Sequence, residues 1–305
     1  MDYLSIMAGL VGLFLGGEAL VRGSVSIAHR MSISPFVIGL TVVGFGTSTP
    51  ELLVSVQAAL KGVPDIAIGN IVGSNIANVL LIVGVTALVW PIHVAGSALR
   101  RDTTIMILSA LALVPLFAMG EIGRVAGLTL VAGLIAYLVW TFLKPRQEAS
   151  DDEAEAAATP IMNALLWVTL GLVGLLFGAR FLVDGAVSVA QDFGVSEAFI
   201  GLTIVAIGTS LPELATSLIA AFRHQSDIAI GNIVGSNIFN VLGILGVTSI
   251  VAPIPVAPRF LTFDLPIMIV VSIVLTCLLL LHQKIGRRTG AVMLLAYCAY
   301  LLTAH

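Results

Sequence analysis

The stretch GLTVVGFGTSTPELL (Gly39–Leu53) is followed by DIAIGNIVGSN (Asp65–Asn75), and both segments recur 162 residues later in the chain. The second copies read GLTIVAIGTSLPELA (Gly201–Ala215) and DIAIGNIVGSN (Asp227–Asn237). The offset holds without a gap, and 33 of the 49 positions from Ile38 to Thr86 are identical to their partners. Self-similarity at a fixed offset indicates that the chain consists of two copies of one structural unit.

The composition is that of a protein embedded in a membrane. The chain has 305 residues, of which 58% are hydrophobic and 10% charged, and its mean hydropathy is +1.10. Soluble domains carry about 25% charged residues. Ten apolar segments, five in each half, come close to the roughly 20 residues that a membrane-spanning helix needs. The predicted helices are 3–21, 35–60, 65–89, 103–119, 125–143, 161–182, 197–222, 227–250, 263–281 and 289–303.

The basic residues predict how these helices are oriented. With the N-terminus outside, ten Lys and Arg residues lie at cytoplasmic helix ends and four at outer ends, as the positive-inside rule requires. The inner group is Arg22, Arg30, Arg100, Arg101, Lys144, Arg146, Arg223, Lys284, Arg287 and Arg288, and the outer group is Lys61, Arg124, Arg180 and Arg259. Both termini are therefore expected outside. Since five helices per half is an odd number, the second half enters the membrane upside down.

These observations predict an all-α polytopic membrane protein of about ten transmembrane helices in two inverted five-helix repeats. Residues 1–143 form the first repeat and 161–305 the second, inverted one. Between them, KPRQEASDDEAEAAATP (144–160) reads as an acidic cytoplasmic linker that is too short to fold as a domain. The net charge of −3 says nothing about nucleic acid, but no basic cluster indicates a nucleic-acid partner. The lipid bilayer is the expected partner, and no cofactor or obligatory protein partner is indicated.

The first repeated block predicts a broken helix that carries oxygen ligands. Pro50 has no N–H, and its ring clashes with the carbonyl of Gly46, so the second helix should break there. Freed carbonyls at membrane depth must face protein, a hydrated cavity or an ion. Thr47 and Ser48 precede Glu51 by four and three residues and therefore share its helix face. The second half repeats the pattern with Ala206, Gly208, Thr209, Ser210, Pro212 and Glu213.

The second repeated block adds neutral oxygens. Ser74 and Asn78 lie four residues apart on one helix face, and Ser236 and Asn240 match them. Carboxylate, hydroxyl, amide and carbonyl oxygens suit a hard cation such as calcium, whereas soft metals favour Cys, Met or His, which the repeated blocks lack. Glutamates at membrane depth in two inverted copies indicate a transporter with one midplane site. Four further asparagines are predicted to tie broken backbone together: Asn70, Asn75, Asn232 and Asn237.

The motifs GTSTPE and GTSLPE, each followed by GNIVGSN, resemble the α-repeats of the cation/calcium antiporter superfamily, and more narrowly those of prokaryotic sodium/calcium exchangers. The resemblance covers essentially the whole chain. It implies a central calcium site made by the carboxylates of Glu51 and Glu213 with the carbonyls of Thr47 and Thr209. It also implies flanking sodium sites and two bordering amides, contributed by Ser48, Ser74, Ser210, Ser236, the carbonyls of Gly44 and Ala206, Asn78 and Asn240. The first and sixth helices would slide as a pair to alternate access.

The resemblance also bears on the coupling ion. Some relatives, including potassium-dependent exchangers, carry an aspartate at the position of Asn240, so asparagine argues against potassium co-transport. Proton/calcium antiporters of the superfamily usually lack the GTS triplet, which favours sodium. We therefore expect no enzyme but a secondary active antiporter that exchanges Na⁺ for Ca²⁺ by alternating access, as electrogenic calcium efflux. The expected location is a bacterial or archaeal plasma membrane.

Three other functions remain open from the sequence. A proton/calcium antiporter, or one for another divalent cation, would use the same two glutamates as proton carriers. A cation channel gated at those glutamates is disfavoured because channels usually surround a pore by oligomer symmetry, whereas one chain here supplies both halves of the site. An intramembrane enzyme using Ser48 or Ser210 is disfavoured because no histidine or lysine base accompanies either serine in the motifs.

Overall fold

The computed structural model describes residues 2–93, 97–143, 160–194, 206–282 and 284–303. The predicted linker, except for Pro160, and the first part of the predicted seventh helix lie outside these residues. The helices are α1 (Asp2–Met31), α2 (Pro35–Thr47), α3 (Thr49–Leu60), α4 (Pro64–Val89), α5 (Ser97–Ala118), α6 (Arg124–Leu143), α7 (Ile161–Asp192), α8 (Ala206–Gly208), α9 (Leu211–Phe222), α10 (Ser226–Val251), α11 (Phe260–His282) and α12 (Arg287–Thr303).

Ten helical segments account for the predicted spans. Within the described residues, seven helices are long and apolar enough to cross a membrane, and the bent pair α2–α3 makes an eighth. The short helices α8 and α9 together add one more segment, which corresponds to the predicted seventh helix, and the 17-residue α12 brings the count to ten. Helices dominate because lipid offers no hydrogen bonds, so each segment must satisfy its own backbone groups. The predicted fold class is confirmed.

Two helices are longer than predicted. The helices α1 and α7 run to Met31 and Asp192, each ten residues beyond the predicted ends at 21 and 182. The prediction ended α1 at residue 21, just before Arg22, but a charge ends an apolar run without ending a helix. Arg22 lies on the exposed face while Ser24 is buried against the protein. At 1.5 Å per residue both helices are about 45 Å long, more than the thickness of the hydrocarbon core.

The pair formed by α1 and α7 shows directly that the halves are inverted. A Cβ atom built on Gly9 would lie 2.5 Å from the backbone N of Leu182, and one on Gly23 would lie 2.8 Å from that of Val168. The contacts therefore run antiparallel, although α7 is the repeat counterpart of α1. Small residues let the two backbones touch, as is common between membrane helices. The α1–α7 pair consequently packs as one unit.

Two short β-ribbons join the halves, and the sequence did not predict them. Strand β1 (Ile92–His93) pairs antiparallel with β4 (Lys284–Ile285), and β2 (Glu121–Ile122) pairs with β3 (Ile254–Pro255). Each ribbon connects a loop of one half with a loop of the other. A strand of two residues is too short to show the alternation by which strands are recognised in a sequence.

The two central helices, α4 and α10, leave regular α-helical geometry in mid-membrane. Each contains a π-helical stretch, Asn78–Ile82 in α4 and Asn240–Leu245 in α10. The prediction treated both helices as regular. Such stretches widen a helix locally and often occur at functional sites. Here the first residue of each stretch is an asparagine that the sequence placed at the candidate site.

Candidate cation-binding site

The broken helix predicted from Pro50 is present in both halves. The break lies at Ser48 between α2 and α3, which are bent by 43°, and at Ser210 between α8 and α9. Pro50 is the second residue of α3, where a missing N–H costs nothing because the first helical N–H groups have no intrahelical partner. Glu51 follows in the first turn, where the positive end of the helix dipole favours a carboxylate. Glu213 has the same place in α9.

Hydrogen bonds cross between the halves at these breaks. The Ser48 hydroxyl donates to Glu213 Oε1 at 2.9 Å, and the Ser210 hydroxyl donates to Glu51 Oε1 at 3.4 Å. Ser210 Oγ also lies 3.5 Å from Ser74 Oγ. Each glutamate is only 1% exposed. The two motifs, 162 residues apart in sequence, therefore meet at one buried place, and each carboxylate contacts a serine of the opposite half.

Among the predicted ligands, four buried side-chain oxygens have no hydrogen-bond partner in the part of the chain that the structure describes. They are Glu51 Oε2, Glu213 Oε2, Asn78 Oδ1 and Asn240 Oδ1. A buried acceptor without a partner costs about 1–3 kcal/mol, and a charged one costs more. A hard cation offers a partner to all four, because oxygen atoms of carboxylates and amides are the ligands that it prefers. The chemistry of these oxygens thus fits a transported cation bound between the halves.

The remaining predicted ligands surround this centre with less symmetry. The Ser236 hydroxyl donates to the Gly44 carbonyl at 3.1 Å, so that carbonyl is already hydrogen-bonded. The Thr47 hydroxyl donates to Asn232 Oδ1 at 3.1 Å, and both side chains are buried. Thr209 is half-buried. Ala206 begins α8 and leads into the break, as Gly44 does in the first half.

The prediction that asparagines bind irregular backbone is confirmed for one pair. Asn70 Nδ2 donates to the backbone carbonyl of Glu51 at 3.1 Å and to Ser55 Oγ at 2.9 Å. The second half repeats this with Asn232, the carbonyl of Glu213 and Ser217, at 3.3 and 2.9 Å. Each asparagine therefore holds the residue that carries the site carboxylate. The two serines were not predicted, although both repeats carry one at the same offset.

The other asparagine pair behaves differently from the prediction. Asn78 Nδ2 donates to Asn237 Oδ1 at 3.0 Å, and Asn240 Nδ2 donates to Asn75 Oδ1 at 3.1 Å. Asn75 and Asn237 therefore bind the site amides of the opposite half, and only Asn237 also donates to a backbone carbonyl, that of Asn75 at 3.5 Å. Sequence spacing could not reveal these contacts because they join different halves.

Two further buried carboxylates, which the sequence analysis missed, lie outside the site. Asp102 Oδ1 accepts a hydrogen bond from the Tyr137 hydroxyl at 3.1 Å, and Asp264 Oδ1 accepts one from Tyr300 at 3.0 Å. Asp102 also pairs with Arg101 at 2.6 Å. The same 162-residue offset relates the two aspartates and could have found them. Each tyrosine lies on the helix next to that of its aspartate, so the two pairs hold neighbouring helices together and have a structural role.

Comparisons with known proteins agree with this geometry. The family model described as sodium/calcium exchanger protein matches residues 2–143 and 163–304. A protein of Alkalimonas amylolytica called CaxA is 41% identical, covering 97% of this chain and 96% of its own. The sodium/calcium exchanger MaX1 of Methanosarcina acetivorans is 32% identical, covering 99% and 98%. A solved structure of the sodium-calcium exchanger NCX_Mj, soaked with 10 mM Na⁺ and zero Ca²⁺, is 33% identical and covers 100% and 99%, with a TM-score of 0.86.

Proposed function

The chain belongs to the sodium/calcium exchanger family, and from that premise we propose that it is an antiporter that exchanges Na⁺ for Ca²⁺ electrogenically. Members of this family are integral membrane transporters of cations and not enzymes. The observation that carries the proposal is the set of four buried, unpartnered oxygens of the predicted ligands, two from each half. Ca²⁺ and Na⁺ are thus the proposed substrates of one shared site.

Charge at the site supports electrogenic exchange. Glu51 and Glu213 give the site a formal charge of −2, which one Ca²⁺ neutralises. Moving two unpaired charges through a low-dielectric path is costly, so the empty carrier is discouraged from changing sides. Three Na⁺ ions would leave a charge of +1, and each charge moved is worth about 2.3 kcal/mol per 100 mV. Inward sodium flow would then drive calcium out of the cell.

Packing supports alternating access by movement of the α1–α7 pair. Between α1 and α7 the close contacts are backbone to backbone. At two glycine positions that face the rest of the bundle, the close contacts are made by side-chain tips: a Cβ on Gly17 would lie 2.5 Å from Cδ1 of Ile219, and one on Gly208 would lie 2.5 Å from Cγ2 of Val183. Flexible side-chain ends can shift past one another, whereas abutting backbones cannot. We propose that the pair slides as a unit over the remaining helices.

The same proposal includes the topology. Both termini lie outside, residues 1–143 and 161–305 are the two repeats, and the acidic segment 144–160 is a cytoplasmic linker. The membrane is the plasma membrane of a bacterium or an archaeon. The positive-inside count of ten basic residues against four supports this orientation.

The direct test is ⁴⁵Ca²⁺ uptake into proteoliposomes preloaded with sodium, with choline or with a proton gradient. The membrane potential is clamped at several values. We expect uptake that requires internal sodium and rises as the interior becomes more positive, because more than two positive charges leave for each calcium that enters. The choline-loaded vesicles are the matched control.

Uptake driven equally well by a pH gradient without sodium would contradict sodium coupling. It would favour the second candidate function, a proton/calcium antiporter with the same two glutamates as proton carriers. Calcium flux without any counter-ion gradient would contradict antiport altogether and favour a channel.

Asn240→Asp is expected to change the cation selectivity of exchange and its pH response. The substitution places a third carboxylate in a buried site that already holds two, and like charges at close range keep one of them protonated. It also removes the Nδ2 donor that Asn240 gives to Asn75. The measurement is calcium uptake over a range of pH and of competing cations. An unchanged profile would mean that Asn240 only braces the helix.

A further inference from the structure

The site depends on which atoms Asn78 and Asn240 point at the cation. An amide group has an oxygen that can bind a cation and an NH₂ group of nearly equal size that repels it. Both orientations fit the same space, so packing alone does not choose between them. Here both amides leave Oδ1 without a hydrogen-bond partner, while both Nδ2 atoms donate to an asparagine of the opposite half. Something must set that choice.

We propose that Met106 and Met268 set the orientation of the two site amides. They are positioning residues that act through Asn237 and Asn75, and this inference rests on the proposed function. In the first chain of contacts, Asn237 Nδ2 lies 3.7 Å from the sulfur of Met106 and 3.5 Å from the backbone carbonyl of Asn75, and both atoms are acceptors. The Oδ1 atom of Asn237 is thereby turned toward Asn78 and accepts from its Nδ2 at 3.0 Å. The remaining amide atom of Asn78, its oxygen, is left for the cation.

The second chain of contacts has the same order with the halves exchanged. Asn75 Nδ2 lies 3.5 Å from the sulfur of Met268. Its Oδ1 accepts from Asn240 Nδ2 at 3.1 Å, which leaves Asn240 Oδ1 for the cation. Met106 and Met268 are separated by the same 162 residues as the motifs. The helices α5 and α11, which contribute no proposed ligand, thus acquire a role at the site.

A thioether is a suitable end for such a chain because it has only one hydrogen-bonding role. The sulfur of methionine accepts weakly and cannot donate, so only the NH₂ end of an asparagine is favoured beside it. A hydroxyl or an amide could do either and would leave the direction open. Both methionines are buried, each 1–2% exposed, so water does not compete for the contact. Groups behind the first ligands of a metal typically change its affinity about 10- to 100-fold.

The experiment compares two double variants of the full chain. Met106→Leu with Met268→Leu keeps an apolar side chain of similar size but removes the acceptor. Met106→Gln with Met268→Gln offers an acceptor oxygen again at the end of an unbranched side chain, but its NH₂ group leaves the direction partly open, so the rescue is expected to be partial. The buried Met293→Leu is the matched control, since Met293 lies in α12 and is not part of either chain of contacts. Calcium binding is measured by isothermal titration in detergent, and thermal unfolding without the ion reports folding.

We expect the leucine variant to bind Ca²⁺ about 10- to 100-fold more weakly than the wild type. The glutamine variant should bind more tightly than the leucine variant, and Met293→Leu should match the wild type. If the methionines only fill space, the order reverses, because leucine is the better space filler and a buried glutamine is the more disruptive change. The reversed order, or equal affinity in the leucine variant and the wild type, overturns the inference while leaving the proposed function intact. Wild-type protein that binds no Ca²⁺ overturns both.

Discussion

Glu51→Gln and Glu213→Gln are each expected to reduce sodium-dependent calcium uptake to the background of empty vesicles while the protein stays folded. Each substitution changes the formal charge of the proposed site from −2 to −1, so one Ca²⁺ is no longer neutralised. It also replaces an unpartnered carboxylate oxygen by an amide whose NH₂ group repels cations. Folding should survive, because a neutral amide is less costly to bury at 1% exposure than a carboxylate.

The measurement is ⁴⁵Ca²⁺ uptake in proteoliposomes, with size-exclusion elution and thermal unfolding as checks on the fold. Glu121→Gln is the matched control, because it makes the same chemical change at an exposed position, in the short strand β2. We expect the control to transport as the wild type does. Near-normal flux in either site variant would refute the assignment of that glutamate to the transport site.

A disulfide between the α1–α7 pair and the helix break is expected to stop transport. A Cβ at position 208 lies 3.7 Å from Cβ of Val183, which is within the usual range for a disulfide. Gly208→Cys with Val183→Cys therefore ties the pair to α8, in a protein whose exposed Cys277 and Cys298 have first been replaced by serine. If the pair must slide to alternate access, oxidation should abolish sodium-dependent uptake. Reduction of the same sample should restore it.

The control is the single variant Val183→Cys in the same serine background, which cannot form the cross-link to position 208. The same oxidation should therefore leave its uptake unchanged. Undiminished uptake after complete oxidation at 183 and 208 would rule out the sliding movement.

The repeated blocks are what allowed the fold and the central candidate residues to be predicted from the sequence. Pro50 and Pro212 predict helix breaks because proline lacks an N–H, and the structure has both breaks two residues earlier, at Ser48 and Ser210. The spacing of Ser48 and Glu51 was interpreted as that of one continuous helix, whereas in the structure Ser48 lies at the break, just before α3. What spacing could not supply is the partner, since Ser48 binds Glu213 and not Glu51.

The features that the sequence did not predict have two physical causes. The π-helical stretches that begin at Asn78 and Asn240 change the backbone pairing without changing residue types, so no pattern marks them. The β-ribbons and the contacts of Met106 with Asn237 arise only when the halves pack against each other. The ends of α1 and α7 were wrong because an apolar run measures membrane thickness and not helix length.

The crossing of the hydrogen bonds between the halves has a consequence for biosynthesis. The hydrogen bonds that Ser48 and Ser210 donate to the glutamates join residues about 160 positions apart. At roughly 5–20 residues per second, a ribosome needs about 10–30 s to make that length of chain. During this interval Glu51 is already inserted while its serine partner has not been synthesised. A nascent chain halted between the repeats therefore carries Glu51 without the second half of the proposed site. The ability to select ions should then appear only late in translation.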